Sequence, residues 1–200
     1  MQRLLCKTSF ALGYGTIQGV SDAATPVEPV ELQASEFLLR PWRDDDVEAY
    51  WAALESPGGR LWHGSTFGSR DELAAALVRR GDWTTRDQAS WALVDGAELL
   101  GSISVHRIDR DQGDAEVGYW IAPSARGRGL AGVAVQAVCR WAFADLGLHR
   151  IQLFHAVENE ASARVAEKAG FTWEGRLRQS HRYGDGIRHD ELLWARLATD

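Results

Sequence analysis

The sequence predicts a single domain of mixed α and β structure, in which a mixed, mostly antiparallel sheet is flanked by helices. The chain has 200 residues, of which 45% are hydrophobic and 25% are charged, as is usual for one globular domain. Short apolar runs typical of strands lie on both sides of one long segment with helical periodicity. Turn sequences between neighbouring runs predict hairpins rather than the βαβ units of a parallel sheet.

The first 35 residues differ in composition from the rest of the chain. The stretch 21–29, SDAATPVEP, has the composition of a linker, and nothing before it shows a clear period. We therefore expect residues 1–35 to form an extension, partly disordered or draped on the surface, and residues 36–200 to form the domain. Arg3 and Lys7 precede a weakly apolar stretch, but glycines and polar residues interrupt it. A cleaved signal peptide is therefore the less favoured interpretation, and we expect a cytoplasmic protein.

The first strand of the domain is predicted over residues 37–40 and ends at Pro41. Asp44 is the expected N-cap of the helix that follows. The apolar residues of this helix recur at helical spacing; they are Val47, Tyr50, Trp51 and Leu54. A second helix is predicted after Ser69, because Ser69 and Glu72 match a capping box and an apolar run follows them.

Three strands come next. Residues 90–94 and 99–105 are joined by Asp95-Gly96, a turn sequence that predicts a β-hairpin. Residues 115–121 form the third of these strands.

The period changes to that of a helix at Gly129, and Gly147 ends the helix. The apolar residues of this helix form one stripe; they are Leu130, Val133, Ala134, Ala137, Val138 and Trp141. The remaining elements are a strand, a short helix and two strands, predicted over residues 151–157, 161–168, 171–177 and 187–197. The full order is β-α-α-β-β-β-α-β-α-β-β, which predicts a sheet flanked by helices.

The most informative segment joins the strand that ends at Ile121 to the long helix. Gly127 and Gly129 allow successive backbone N–H groups to converge on one point. The helix N-terminus adds free donors and partial positive charge, and Arg126 and Arg128 add further positive charge. This combination predicts a pyrophosphate site. The alternative is a tight turn in which the glycines serve the backbone geometry and the arginines are solvated.

The same segment also matches a dinucleotide-binding fingerprint, because residues 127–132 read G-x-G-x-x-G and Glu158 lies at the end of the next strand. Residues 123–126 separate the first glycine from the strand, however, and too little chain follows to complete a doubly wound sheet. Hairpins surround the motif as well. An NAD-dependent oxidoreductase is therefore the least favoured function.

Two separated motifs resemble the GNAT acyl-CoA N-acyltransferase superfamily. The loop at residues 126–131, RGRGLA, fits the R/Q-x-x-G-x-G/A signature of that superfamily. Residues 159–162, NEAS, and 167–171, EKAGF, resemble the N-x-x-S and E-K-x-G-F run that closes its core. Because the motifs are separate and occur in the right order, the resemblance is specific.

Two further matches look like the branch that contains the ribosomal-protein N-terminal acetyltransferases of the Rim type. They are LLRPW at residues 38–42 and AEVGYW at residues 115–120. The resemblance covers about residues 36–197 and implies that acetyl-CoA is the co-substrate. It also implies a sheet that is splayed at the acetyl-CoA cleft, where the strand ending at Ile121 parts from the strand at residues 151–157.

The resemblance also assigns contacts with acetyl-CoA. The pantetheine arm would bond to the backbone of Ile121, Ala122 and Pro123 like an added strand. The pyrophosphate would contact the loop; its residues are Arg126, Gly127, Arg128, Gly129, Leu130 and Ala131. Asn159 would contact the cofactor arm, but its residue type and position also suit helix capping, and both roles can hold together.

Glu116 and Ser162 are the candidate catalytic residues. Glu116 stands where some members of the superfamily carry a catalytic glutamate and would act as the base through a water; the alternative is a salt-bridged strand carboxylate. Ser162 would donate a proton to the leaving thiolate, because the tyrosine that many relatives use is replaced by Ala166; helix capping is its alternative. Tyr119 is expected to pack in the core. His155 is expected to be a satisfied histidine near the core, and its use as the base stays open.

Composition narrows the function classes. The formal net charge of −6 disfavours a nucleic-acid partner and suits a cationic acceptor. No apolar run is long enough to span a membrane, so no membrane association is expected. Cys6 and Cys139 lie too far apart for a disulfide framework or a thiolate metal site, and the histidines lack metal-ligand spacing. We therefore expect no metal.

The expected function is direct transfer of an acetyl group from acetyl-CoA to a primary amine in a ternary complex, by a monomer or a homodimer. The amine, a protein N-terminus or a small molecule, is not specified by the sequence. The segments 56–63 and 181–189 are the expected walls of the acceptor site. Trp51, Trp62 and Trp83 can form an aromatic pocket there, with core packing as the alternative. A non-catalytic acyl-CoA-binding module is the alternative function.

Overall fold

An eight-stranded open sheet runs through the computed structural model, which describes residues 28–85 and 87–200. The strands are β1 (Leu32–Ala34), β2 (Phe37–Arg40), β3 (Gln88–Asp95), β4 (Glu98–Asp109), β5 (Asp114–Ile121), β6 (Arg150–Ala156), β7 (Thr172–Arg182) and β8 (Arg188–Leu197). The α-helices are α1 (Asp46–Glu55), α2 (Arg70–Gly81), α3 (Leu130–Asp145) and α4 (Glu160–Lys168). Short 3-10 helices span Trp83–Thr85 and Pro123–Ala125.

The strand order is β1-β2-β3-β4-β5-β6-β8-β7. Strands β5 and β6 pair in parallel, and the other neighbouring strands pair antiparallel. The long helix α3 makes the crossover between β5 and β6, as a parallel pair requires. The predicted mixed, mostly antiparallel sheet with flanking helices is therefore confirmed.

The two faces of the sheet carry different helices. Successive side chains along β5 point to opposite faces, so Glu116 and Trp120 share one face and Tyr119 lies on the other. Trp120 packs against Tyr50 of α1, with ring centroids 5.0 Å apart. Tyr119 bonds to Ser162 of α4. We call these the α1 face and the α4 face of the sheet.

Strands β5 and β6 separate partway along their length. Their last paired residues are Val117 and Leu153. Beyond that pair, β5 continues to Ile121 alongside β4, and β6 continues to Ala156 alongside β8. We call the resulting gap, between residues 118–121 and 154–156, the cleft. The splay that the family resemblance implies is confirmed by this register.

The three tryptophans suggested as an acceptor pocket lie in three different environments. Trp83 is buried in the core, with ring centroids 4.8 Å from Trp91 and 5.9 Å from Trp141. Trp51 packs against two arginine side chains on the α1 side. Trp62 contacts the β7–β8 hairpin. Core packing, the alternative given for these residues, holds for Trp83.

The sheet begins earlier than the sequence predicted. Leu32–Ala34 forms an edge strand in which Ala34 lies opposite Phe37 and is buried. These residues belong to the segment 1–35 that was expected to be an extension. A strand of three residues carries no usable periodicity, which explains the miss. Residues 28–31 have no regular secondary structure, and residues 1–27 lie outside the described residues.

The N-terminus of α1 also differs from the prediction. The N-cap residue is Asp45, without a side-chain cap, and the expected cap Asp44 is exposed. The buried Asp46 carboxylate instead accepts hydrogen bonds from Arg40 at 2.7 and 2.8 Å and from the Arg43 backbone N–H at 2.8 Å. This ion pair joins α1 to β2. It explains why Asp46, rather than Asp44, forms the polar contacts at the N-terminus of α1.

Other local signals at the helix ends are confirmed. Ser69 Oγ accepts from the Glu72 backbone N–H at 3.2 Å, and the Glu72 carboxylate accepts from the Gly68 N–H at 2.7 Å. Gly147, with φ of +68°, follows the C-cap of α3. The buried face of α3 differs from the predicted stripe. Val135 lies outside the stripe but is fully buried, whereas Val133 belongs to the stripe and is 37% exposed.

Candidate active site

The glycine-rich loop between β5 and α3 contains two glycines with left-handed backbone conformation. Gly127 and Gly129 have φ of +80° and +77°, which side chains other than glycine rarely adopt. Within the described residues, no hydrogen bond uses the backbone N–H of Gly127, Arg128 or Gly129. These donors lie next to the free N–H groups at the N-terminus of α3, which starts at Leu130. Together they form a concentration of donors for a negatively charged group.

The two arginines of the loop have different surroundings. Arg126 Nε donates to the Ile121 carbonyl and Arg126 Nη2 donates to the Gly58 carbonyl, each at 3.1 Å. The side chain therefore connects the end of β5 to residues 56–69, which we call the α1–α2 loop. Arg128 is exposed, so of the two guanidinium groups it is the one more open to an anion.

The predicted pantetheine contacts at Ile121, Ala122 and Pro123 lie at the end of β5. The Ala122 N–H donates to the Leu100 carbonyl at 2.9 Å, and the Ala122 carbonyl accepts from Ala125 at 2.8 Å. Much of the polar backbone here is thus already bonded within the protein. The β5 edge at residues 118–121 has no partner strand on its β6 side among the described residues. Half of its polar groups are expected to point into the cleft.

Asn159, Ser162 and Tyr119 meet at the cleft. Asn159 is the N-cap of α4, and its Oδ1 accepts from the Ser162 backbone N–H at 3.3 Å. Capping is therefore one role of Asn159. The Tyr119 hydroxyl reaches from β5 and donates to Ser162 Oγ at 2.9 Å. Burial raises the pKa of Tyr119 to about 12, so this phenol stays neutral near pH 7.

Tyr119 was expected to be a core residue, and its ring is largely buried, but its hydroxyl belongs to this group at the cleft. Sequence spacing gives no sign of the contact, since 43 residues separate the two partners.

Glu116 lies on the α1 face of β5 and is ion-paired. Arg107 Nη1 donates to its Oε1 at 2.8 Å, and His106 Nε2 lies 3.5 Å from its Oε2. Burial pushes the pKa of Glu116 upward, but the hydrogen bonds and charges of His106 and Arg107 outweigh this effect, and the net shift is downward. The carboxylate is therefore ionised at neutral pH.

His155 is a satisfied histidine in the core. It is 3% exposed, its Nδ1 contacts the Ala156 carbonyl at 2.7 Å, and its Nε2 accepts from Trp194 Nε1 at 3.0 Å. These partners require the neutral tautomer with the proton on Nδ1. Burial lowers its pKa. Since both nitrogens are bonded within the protein, His155 is a poor candidate for the base.

The α1–α2 loop covers the cleft from the α1 face. The Trp120 indole N–H donates to the Gly59 carbonyl at 2.8 Å, and Trp62 packs edge-on against Tyr183 of the β7–β8 hairpin, with ring centroids 5.7 Å apart. The turn of that hairpin approaches so closely that a Cβ on Gly184 would lie 1.8 Å from the Arg60 carbonyl oxygen. The loop thus bridges the two sides of the cleft, and residues 56–63 and 181–189, the predicted acceptor walls, are in contact.

Glu191 is a buried carboxylate of β8 near the cleft that the sequence analysis did not select. It follows Asp190 in a strand whose alternation is irregular, so the sequence alone gave no sign that it points inward.

In the part of the chain that the structure describes, no group of three His, Cys, Asp or Glu residues is arranged to hold a metal ion. The helices in this part are too short or too polar to cross a membrane.

Comparison with known proteins identifies related sequences. Residues 36–172 match the model of the family described as acetyltransferase (GNAT) domain. The chain is 30% identical over 168 residues to YoaA, an uncharacterized N-acetyltransferase of Bacillus subtilis strain 168, and the match covers 82% of the chain and 94% of YoaA. It is 36% identical over 100 residues to the ribosomal-protein-serine acetyltransferase of Escherichia coli K12, a match that covers 50% of the chain and 55% of that protein. The match to YdaF of Bacillus subtilis strain 168 covers 58% of YdaF, a share similar to that of the E. coli protein.

Solved structures show the same fold. RimJ of Mycobacterium smegmatis, solved in complex with CoA-disulfide, superposes with a TM-score of 0.73 at 24% identity. The superposition covers 86% of this chain and 87% of RimJ.

Proposed function

Since the chain belongs to the GNAT acetyltransferase family, we propose that it transfers an acetyl group from acetyl-CoA to a primary amine within a ternary complex. The observation that carries this proposal is the cleft, which opens between the glycine-rich loop on one side and Ser162 on the other. We assign the activity to residues 36–200.

The donor would bind along the cleft. The open N–H groups at residues 127–131 and the Arg128 guanidinium would hold the pyrophosphate. The pantetheine arm would extend the free edge of β5 as an added strand, ending near Ile121–Pro123. Asn159 would contact the arm while it caps α4. This path places the thioester beside Ser162 and beneath the α1–α2 loop.

The chemistry needs a neutral amine, and the protein then handles two protons. The amine nitrogen attacks the thioester carbonyl, a C–N bond forms, and the C–S bond breaks to release the thiolate. The proton of the attacking nitrogen passes through a water to Glu116, and Ser162 Oγ–H donates a proton to the thiolate. Glu116 then releases its proton to solvent, and Ser162 regains one from solvent. Because Tyr119 donates to Ser162 Oγ, the serine proton is left free to point elsewhere, including toward the thiolate.

A protein N-terminus suits this site better than an isolated lysine. An α-amino group with a pKa near 7.7–8.0 loses its proton more easily than lysine near 10.4, a difference of roughly 3–4 kcal/mol. A carboxylate whose pKa is held low is a weak base and suits the more acidic amine. The name of the E. coli relative, a ribosomal-protein-serine acetyltransferase, agrees with such an acceptor.

Calorimetric titration with acetyl-CoA, using NAD as the control ligand, tests the proposal. Micromolar binding of acetyl-CoA alone, followed by release of free thiol in the presence of amines, is the expected result. Binding without turnover of any amine would indicate the non-catalytic module. Heat with NAD and none with acetyl-CoA would replace the proposal with the oxidoreductase.

A further inference from the structure

Glu191 is a buried carboxylate held by hydroxyl groups. It is 8% exposed, and its Oε1 and Oε2 accept hydrogen bonds from the Tyr183 hydroxyl and from Ser180 Oγ, each at 2.7 Å. Among the described residues, no Lys, Arg or His side chain forms a salt bridge with it. In the described part of the chain, the other buried acidic side chain is Asp46, which is paired with Arg40.

A buried carboxylate without a cation is costly, because two hydroxyl donors replace only part of its hydration. Buried charges in proteins are ordinarily paired, so a lone one calls for an explanation. Burial, followed by the hydrogen bond and the charge of Glu191, raises the pKa of Tyr183. The Glu191 carboxylate is therefore held in place by two hydroxyl donors and has no cationic side chain as a partner among the described residues.

The register of the sheet places this anion on the acceptor side of the cleft. Glu116 lies opposite Gln152, and Ala156 lies opposite Glu191. Residues 152 and 156 of β6 point to the same face, so Glu191 shares the α1 face with Glu116. Its partner Tyr183 contacts Trp62 of the α1–α2 loop.

The two carboxylates lie at different positions along the cleft. Ala156 is the last residue of β6, where that strand borders the cleft, whereas Glu116 lies just before the point of separation. Strand spacings place their Cα atoms about 16 Å apart. In the proposed ternary complex, the acceptor amine would lie between them.

We propose that Glu191 binds a second cationic group of the acceptor, separate from the amine that is acetylated. The inference rests on the proposed function and adds a substrate class: primary amines that carry another positive charge a few bonds away. A diamine and a peptide with a lysine next to its N-terminus share this chemistry. Tyr183 and Ser180 hold the carboxylate in position, and the charge of Glu191 selects the acceptor.

Binding, rather than turnover, gives the decisive measurement. The full-length protein, saturated with CoA, is titrated with two pairs of probes by NMR saturation transfer. One pair is 1,4-diaminobutane and 1-aminobutane, and the other is Ser-Lys-Ala amide and Ser-Ala-Ala amide. The variants are Glu191→Gln, which keeps the size of the side chain, and Glu174→Gln, which removes an exposed carboxylate of β7 that pairs with Arg150.

In at least one pair we expect the doubly charged probe to bind the wild type about tenfold more tightly than its partner, as for a charged hydrogen bond. The Glu191→Gln variant should lose this preference, whereas the singly charged probe and the Glu174→Gln variant should show unchanged affinities. The pair that discriminates identifies the source of the cation.

Equal binding within both pairs, or a preference that survives in Glu191→Gln, overturns the proposal. Because binding is read directly, a protein that discriminates the probes without transferring acetyl groups would contradict the proposed activity and leave this inference standing.

Discussion

The Tyr119 hydroxyl donates a hydrogen bond to Ser162 Oγ across the base of the cleft, at 2.9 Å. The bond joins β5 to α4, the two elements on either side of the bound thioester in the proposed reaction. Its direction matters, because a serine that accepts from tyrosine keeps its own proton free for another acceptor. A neutral phenol whose pKa is raised to about 12 holds this arrangement over the whole physiological pH range.

Replacing Ser162 with alanine should lower kcat about a hundredfold, within the range of a lost proton donor. The KM for acetyl-CoA should change little, because Ser162 acts on the leaving thiolate. Tyr119→Phe should lower kcat about tenfold, since it removes one orienting hydrogen bond. Free-thiol release under saturating donor measures both effects. In the double variant the loss should match that of Ser162→Ala alone, and additive losses would contradict a shared role.

Glu116→Gln should lower kcat by about ten- to a hundredfold, because it removes the base that receives the amine proton through water. Arg107 and His106 lower the pKa of Glu116, so the carboxylate is ionised throughout the neutral range. The acidic limb of the wild-type rate profile should therefore follow the pKa of the acceptor amine. Glu174→Gln, which removes another strand carboxylate paired with an arginine, is the control and should keep full activity. An unchanged kcat in Glu116→Gln would leave Glu116 as a structural ion-pair partner.

Much of the fold could be predicted because its signals are local. The hairpin turn at residues 95–96, the cap at Ser69 and the stop at Gly147 each depend on neighbouring residues alone. The glycine-rich loop belongs to the same class, since the positive φ of Gly127 and Gly129 follows from the sequence itself.

Other features depend on residues far apart in the chain and could not be predicted this way. Asp46, rather than Asp44, forms the polar contacts at the start of α1, because Arg40 of β2 pairs with it. Tyr119 meets Ser162 only once β5 and β6 have separated. Glu191 faces inward because of the register of β8 with β6. This register is hard to predict from sequence, since the pairing of β8 with the preceding strand β7 contains two irregularities.

Alanine at Gly127 or Gly129 should raise the KM for acetyl-CoA about tenfold or more, with a smaller change in kcat. A side chain at positive φ costs about 1–2 kcal/mol, and any backbone shift that relieves the strain moves the N–H donors away from the pyrophosphate. Gly96→Ala is a matched control, because Gly96 has φ of +56° in the β3–β4 turn and, as at Gly127 and Gly129, an added Cβ meets no atom within 4 Å. It should reduce stability by a similar amount and leave KM unchanged. Equal KM values for the three variants would show that the glycine-rich loop does not bind acetyl-CoA.

His63 should make the protein less stable as the pH falls from 6.5 toward 5. Its pKa is lowered to about 4, first by burial and then by the positive charge of Arg80. The unfolded chain, with a histidine pKa near 6.5, binds the proton more readily in this window, so the unfolded state is favoured as the pH falls. The loss of unfolding free energy due to this residue should be about 2 kcal/mol at pH 5 relative to pH 8.

Urea unfolding of the wild type and of His63→Gln over this range measures it: the variant should have the flatter profile, and the exposed His149→Gln should follow the wild type. Parallel profiles for the wild type and His63→Gln would mean that the buried imidazole accepts a proton without cost, which would require Tyr50, its hydrogen-bond partner at 2.8 Å, or water to stabilise the charged ring.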